Sequence, residues 1–149
     1  MQFVLHFILY TLYVIHYTGS MRYLGIDYGA KRVGIAVSDE RGDFSYPFIV
    51  LENSDKLVEE IDQICKENSI GEIVVGESKN FAQEENDIMK EITPFVKKLE
   101  GVAGLPIHMH PEFLTSREAE QLQGHNDMHD ASAASLILKS YLDTKKHSL

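Results

Sequence analysis

Tryptophan is absent from the 149 residues, cysteine occurs once and proline four times. The single thiol, Cys65, excludes an internal disulfide and a thiolate-rich zinc site, and it fits a reducing, cytoplasmic setting. Cations are scarce: 14 Lys and Arg stand against 23 Asp and Glu, a formal charge of −9. Binding of nucleic acid by a broadly basic surface is thereby disfavoured. A site that gathers carboxylates around metal is not. Internal repeats, low-complexity stretches and linkers are missing as well. The remaining composition, 44% hydrophobic and 25% charged, is that of an ordinary globular chain of one-domain length.

Residues 1–20 lack Lys, Arg, Asp and Glu altogether. A secretory signal would need a positive start and a small-residue cleavage site, and neither is there. A membrane anchor would need about 20 mostly apolar residues, but His6, Thr11 and His16 interrupt the run. We expect 1–20 to be a leader outside the fold, upstream sequence translated ahead of a start at Met21. A membrane anchor and a structured extension are the alternatives. The working domain is then 21–149.

From Met21 the pattern is legible. Met21–Tyr28 and Arg32–Ser38 read as strands, the second alternating Val33, Ile35 and Val37 against Gly34, Ala36 and Ser38. With a third strand over Phe44–Leu51 they form an antiparallel meander joined by short turns. Ser54 or Asp55 is placed to cap a helix carrying Leu57, Val58, Ile61, Ile64 and Cys65 on one stripe. Glu72–Gly76 reads as a buried strand. The helix that follows, with Ile88, Ile92, Phe95, Val96 and Leu99, meets Pro94, which predicts a kink or a restart capped by Thr93. Gly101 and Gly104 end it. Leu105–Met109 is a fifth strand, Thr115-x-x-Glu118 has the form of a capping box for a helix through Leu122, and a last helix spans about Asp130–Leu142. The fold class is therefore α/β: a five-stranded mixed sheet, meander plus two further strands, with helices on both faces.

Three acids stand in unusual places. Asp27 interrupts an apolar strand, where an ionised carboxylate is costly unless paired or bound to metal. Glu112 follows the fifth strand. Asp130 opens a helix whose next residues, Ala131 to Ser135, are all small, so the helix can lie close to the sheet. Singly, each has a plain reading: a turn-bonding aspartate, a solvated loop charge, an acid at a helix N-terminus.

Together, four separated segments are specific. LGIDYGAKRVGIAVSD, then IVVG with Asn80 shortly after, then PEFLTSREAE, then DASAASLILKSYL resemble the YqgF/RuvX family across residues 21 to 143. The resemblance implies an RNase H-like nuclease, of a kind described as Holliday junction resolvases and pre-16S rRNA nucleases, with Asp27, Glu112 and Asp130 as catalytic carboxylates and metal ligands. The implied cofactor is Mg²⁺ or Mn²⁺, as a two-metal site. Two such ions about 3.5–4 Å apart activate water and stabilise the leaving oxygen of a phosphodiester, and hard cations take oxygen ligands. Lys31, Arg32, Lys79, Asn80 and Arg117 become phosphate contacts. The implied partner is structured RNA or branched DNA and no membrane, with the protein a monomer or homodimer. The sequence departs from the family at Ala30, Pro111, Phe113 and Gly124–His129, each time losing a charge or a donor useful against phosphate.

Rival readings use other residues. His108 and His110 alternate on one strand, and His125, Asp127, His129 and Asp130 crowd a later loop, a set suited to Zn²⁺. LGIDYG also resembles the first phosphate loop of actin-like and sugar-kinase ATPases, which need two such domains where 21–149 offers one. A third reading is an inactive RNase H-like binding or scaffold domain.

Overall fold

The computed structural model describes residues 1–17, 21–78, 87–112 and 129–148, with the backbone alone at 11, 13–17, 78, 112 and 129. A helix, α1 (Gln2–Tyr17), precedes the sheet. Then come β1 (Arg22–Tyr28), β2 (Arg32–Ser38), β3 (Ser45–Glu52), α2 (Leu57–Glu67), β4 (Ile70–Ser78), α3 (Met89–Ala103), β5 (Ile107–Glu112) and α4 (His129–His147). The five strands form one sheet in the order β3-β2-β1-β4-β5. β1, β2 and β3 pair antiparallel, while β4 and β5 run parallel to β1.

Strand alternation sorts the core into two layers. Leu24, Ile26, Val33, Ile35, Ile73 and Val75 face α2 and α3. On the opposite face Tyr23, Ala36 and Val74 meet Ala134, Ile137, Leu138 and Leu142 of α4. One layer is thick with branched side chains; the other is thin where Gly25, Gly34 and Ala36 of the sheet meet α4. The thin layer lets α4 lie low on the sheet.

The strand and helix expectations hold with several corrections. Lys56, not Ser54 or Asp55, is the N-cap of α2. Ser54 acts a step earlier: its Oγ accepts the Lys56 N–H at 3.2 Å and its carbonyl accepts the Leu57 N–H. No restart occurs at Thr93. α3 runs unbroken from Met89 with Pro94 inside it, and the Thr93 hydroxyl donates to the Met89 carbonyl at 3.1 Å. Burial of Ile92, Phe95 and Leu99 on the sheet outweighs the one backbone bond that proline removes. Gly101 lies within the helix, and Gly104 alone ends it, in the left-handed conformation at φ 65°. β4 is longer than Glu72–Gly76 because pairing on both sides extends it, and Glu112 closes β5 instead of following it. The expected Thr115–Leu122 helix lies outside the described residues.

Among the described side chains of α1, none belongs to either core. The apolar side chains described there are exposed, Phe3 at 91%. No described helix is long and apolar enough to cross a membrane.

Candidate active site

β1, β4 and β5 are parallel, so their carboxyl ends meet at one edge of the sheet, the place where open α/β sheets hold ligands. Asp27 lies at that end of β1. Glu112 ends β5, paired with Ser78 at the end of β4. Two strand spacings separate the β1 and β5 backbones, about 10 Å.

Asp130 reaches the same edge from the other side. Gly34 is the cross-strand partner of Asp27, so both positions present the same sheet face. A Cβ on Gly34 would overlap the Asp130 carbonyl oxygen, and a Cβ on Gly25 would come within 2.8 Å of Leu138 Cβ and 2.9 Å of the Ala134 carbonyl. Only glycine at both positions lets the first turns of α4 rest this low, backbone on backbone against β2 at Gly34. Ser45 fastens the helix further, its hydroxyl donating to the Ser135 carbonyl at 2.7 Å. Asp130 is thereby carried to the side of Asp27.

The electrostatics register this proximity. The Asp27 carboxyl is pushed up from its ordinary 3.8 to about 6, first by burial and then by the Asp130 charge. Arg32 answers that negative charge, with Nε 3.4 Å from Asp130 Oδ2. Arg32 follows the β1–β2 turn, which Asn53 locks: its side-chain amide donates to the Gly29 carbonyl at 2.8 Å and its backbone N–H to the Lys31 carbonyl at 2.9 Å. No sequence motif singled out Asn53, because its role depends on the end of β3 returning to this turn.

The residues named from sequence divide as follows. Asp27, Asp130, Arg32 and exposed Lys31 share one edge of the sheet. Glu112 ends β5 at that edge. Lys79, Asn80 and Arg117 lie outside the described residues. Of the histidine set, His108 Nε2 is 2.9 Å from Glu72 Oε2 and stacks on Tyr141. His110 Nε2 is 2.9 Å from Ser140 Oγ, and burial holds its pKa down. His125 and Asp127 lie outside the described residues. Among those described, no group of three or more His, Cys, Asp and Glu side chains is placed to hold a metal. Cys65 is buried and its thiol is pushed up to about 12, which leaves it inert.

Sheet order, the low-lying α4 and the aspartate on the central strand define a protein of the RNase H-like fold. The fold matches Thermus thermophilus RuvC with a TM-score of 0.58 at 14% identity, covering 85% of this chain and 97% of that one. It matches a fowlpox virus resolvase, solved with its Holliday junction DNA substrate, at TM-score 0.55 and 10% identity, over 84% and 99% of the two chains. These likenesses carry the fold. The chain itself belongs to the RuvX family, Holliday junction resolvase, whose profile matches residues 21–144. Relatives provisionally named pre-16S rRNA nuclease include one from Nitratidesulfovibrio vulgaris, 33% identical over 83% of this chain and 84% of its own length. Another, from Lachnospira eligens, is 34% identical over 85% and 99%. The family is thus one of nucleases, hydrolases of phosphodiesters.

Proposed function

We propose that the chain is a divalent-metal-dependent endonuclease that hydrolyses phosphodiester bonds in structured nucleic acid, as pre-16S rRNA or as a branched DNA junction. One observation carries the reading: Asp27, embedded in the central strand and desolvated, has its carboxyl pushed up to about 6 with a second carboxylate, Asp130, beside it. Crowded acids cost stability in the absence of a ligand, and a divalent cation reverses that cost. The donors are oxygen atoms, which suits Mg²⁺ or Mn²⁺ over Zn²⁺. Asp27, Asp130 and Glu112 would hold the metal. When bound, the ions supply a nucleophilic water and offset charge on the phosphoryl oxygens.

The chain's own part is positioning. Asp27 is fixed by its pairing with Gly34 of β2, and Asp130 by the seating of α4. Lys31, Arg32, Lys79, Asn80 and Arg117 would hold the phosphate backbone. The names of the pre-16S rRNA nuclease relatives and the junction-bound fowlpox structure support nucleic acid as substrate. The reaction is assigned to residues 21–149, with the cytoplasm as its place.

A cleavage assay over a four-way DNA junction and a structured precursor-like RNA, with Mg²⁺, Mn²⁺ or Zn²⁺ added singly to chelated protein, tests the reading. Mg²⁺ or Mn²⁺ should support cleavage, and Asp27→Asn should lower it by about 10²-fold or more. Cleavage of neither substrate with any metal, or undiminished activity in Asp27→Asn, would overturn it in favour of a binding or scaffold domain. Rescue by Zn²⁺ alone would move the site to the histidines.

A further inference from the structure

Among the described residues at this edge, Arg32 has an observed partner that differs from its expected one. The sequence points it at a phosphate; the structure turns it onto Asp130, Nε to Oδ2 at 3.4 Å. We propose that Arg32 is a stand-in cation: it holds the Asp130 carboxylate while metal is absent, and turns to a substrate phosphate once a divalent cation takes that carboxylate. The proposal rests on the nuclease reading above and assigns a sequence of events to the site.

Charge, anchoring and exposure all favour the exchange. Asp27 and Asp130 bring two carboxylates together, and one guanidinium offsets part of that charge. A divalent cation entering between them offsets it fully. The arginine is then surplus, repelled by the metal and attracted to any anion arriving at the edge. Its stem cannot drift, because Arg32 opens β2 in register with Glu52 and the preceding turn is locked by Asn53. Its head is free to swing: the side chain is 64% exposed, and that of Asp130 36%. An exposed single-contact pair of this kind is weak, so a doubly charged ion can displace it. The guanidinium fork that pairs with a carboxylate pairs equally well with a phosphate. The cross-strand carboxylate of Glu52 is the competing resting place for the freed head.

Two measurements on the full chain test this. Mn²⁺ affinity is read by calorimetry for the parent, Arg32→Gln and Lys56→Gln, an exposed lysine beyond the end of β3. Arg32→Gln should bind Mn²⁺ about two- to fivefold more tightly, the scale of a surface ion pair converted to affinity. Lys56→Gln should match the parent. Equal affinity in the parent and Arg32→Gln would overturn the proposal, and so would equal tightening in both variants, which would report a general field effect. Binding of a four-way DNA junction and of a structured RNA is then measured in EDTA and in Ca²⁺, which keeps charge without supporting rapid cleavage. By linkage, Ca²⁺ should raise the affinity of the parent for at least one nucleic acid by more than it raises that of Arg32→Gln. The same Ca²⁺ effect in both proteins, including none in either, would overturn the release step. Failure of the parent to bind Mn²⁺ at all would instead sink the nuclease reading itself.

Discussion

At the scale of single residues, the site is governed as much by what two glycines omit as by what the acids supply. Gly34→Ala puts a methyl group where the Asp130 carbonyl stands, so α4 must lift. The expected cost is about 3 kcal/mol or more by urea denaturation, with loss of cleavage. Gly101→Ala is the control: nothing lies within 4 Å of its added Cβ, and helix propensity predicts a gain of about 0.5–1 kcal/mol. Asp27 sets the pH dependence. Its carboxyl titrates near 6 in the folded protein against an ordinary 3.8, so the folded state holds a proton the unfolded chain has released. Stability should fall as pH rises from about 4 to 6 and level off above that. Asp27→Asn removes the liability. The metal-free variant should gain on its parent, by on the order of 3 kcal/mol, between pH 3.5 and 7.5. Mg²⁺ should then stabilise the parent and leave the variant unmoved. Denaturation curves in EDTA across that range, repeated with Mg²⁺, read both effects. An acid inside an apolar strand announces itself in a sequence, as Asp27 did. The pairing of Arg32 with Asp130, and the locking role of Asn53, join residues about 100 and 20 positions apart, and no local pattern encodes such meetings.

At the scale of elements, the two helical layers carry different duties. α2 and α3 cover the thick layer, far from the acids, whereas α4 delivers one of them. Leu99 of α3 and Leu138 of α4 are both fully buried, and replacing either with alanine should cost about 2–5 kcal/mol. Their effects on catalysis should part. Leu138→Ala loosens the helix that seats Asp130, so cleavage and Mn²⁺ affinity should both drop at temperatures where the protein stays folded. Leu99→Ala should keep both. Equal effects on cleavage in the two folded variants would contradict this division of labour. Periodicity disclosed most elements, because their buried faces alternate or recur at regular spacing. It misjudged where they begin and end. Pro94 reads as a breaker only if local chemistry decides, and here Ile92, Phe95 and Leu99 hold the helix across it. β4 is extended at both ends by neighbours that a single strand cannot foresee.

At the scale of the whole molecule, α1 stands apart. It carries no Lys, Arg, Asp or Glu, none of its described side chains belongs to either core, and the family match starts at residue 21. A chain of residues 21–149 should melt within about 2 °C of the full chain, since no described α1 side chain belongs to either core, and should cleave at the same rate with better solubility. A lower melting temperature by scanning calorimetry, or loss of cleavage, would make the helix part of the working protein. The net charge of −9 bears on substrate capture. With so few cations, each that meets phosphate matters, and the salt dependence of binding should be shallow, corresponding to a handful of contacts.

The seating of α4 on Gly25 and Gly34 also bears on what mutation can change. Where side chains interlock, a loss at one position can be repaired by a gain at its neighbour, and spacing drifts with the repair. At Gly34 the spacer is two polypeptide backbones in contact, with no side chain to trade. The gap between the Asp27 and Asp130 positions is therefore held to a ruler whose unit is the thickness of the chain itself. Substitutions in the core beneath α2 and α3 can weaken the protein without resetting that gap.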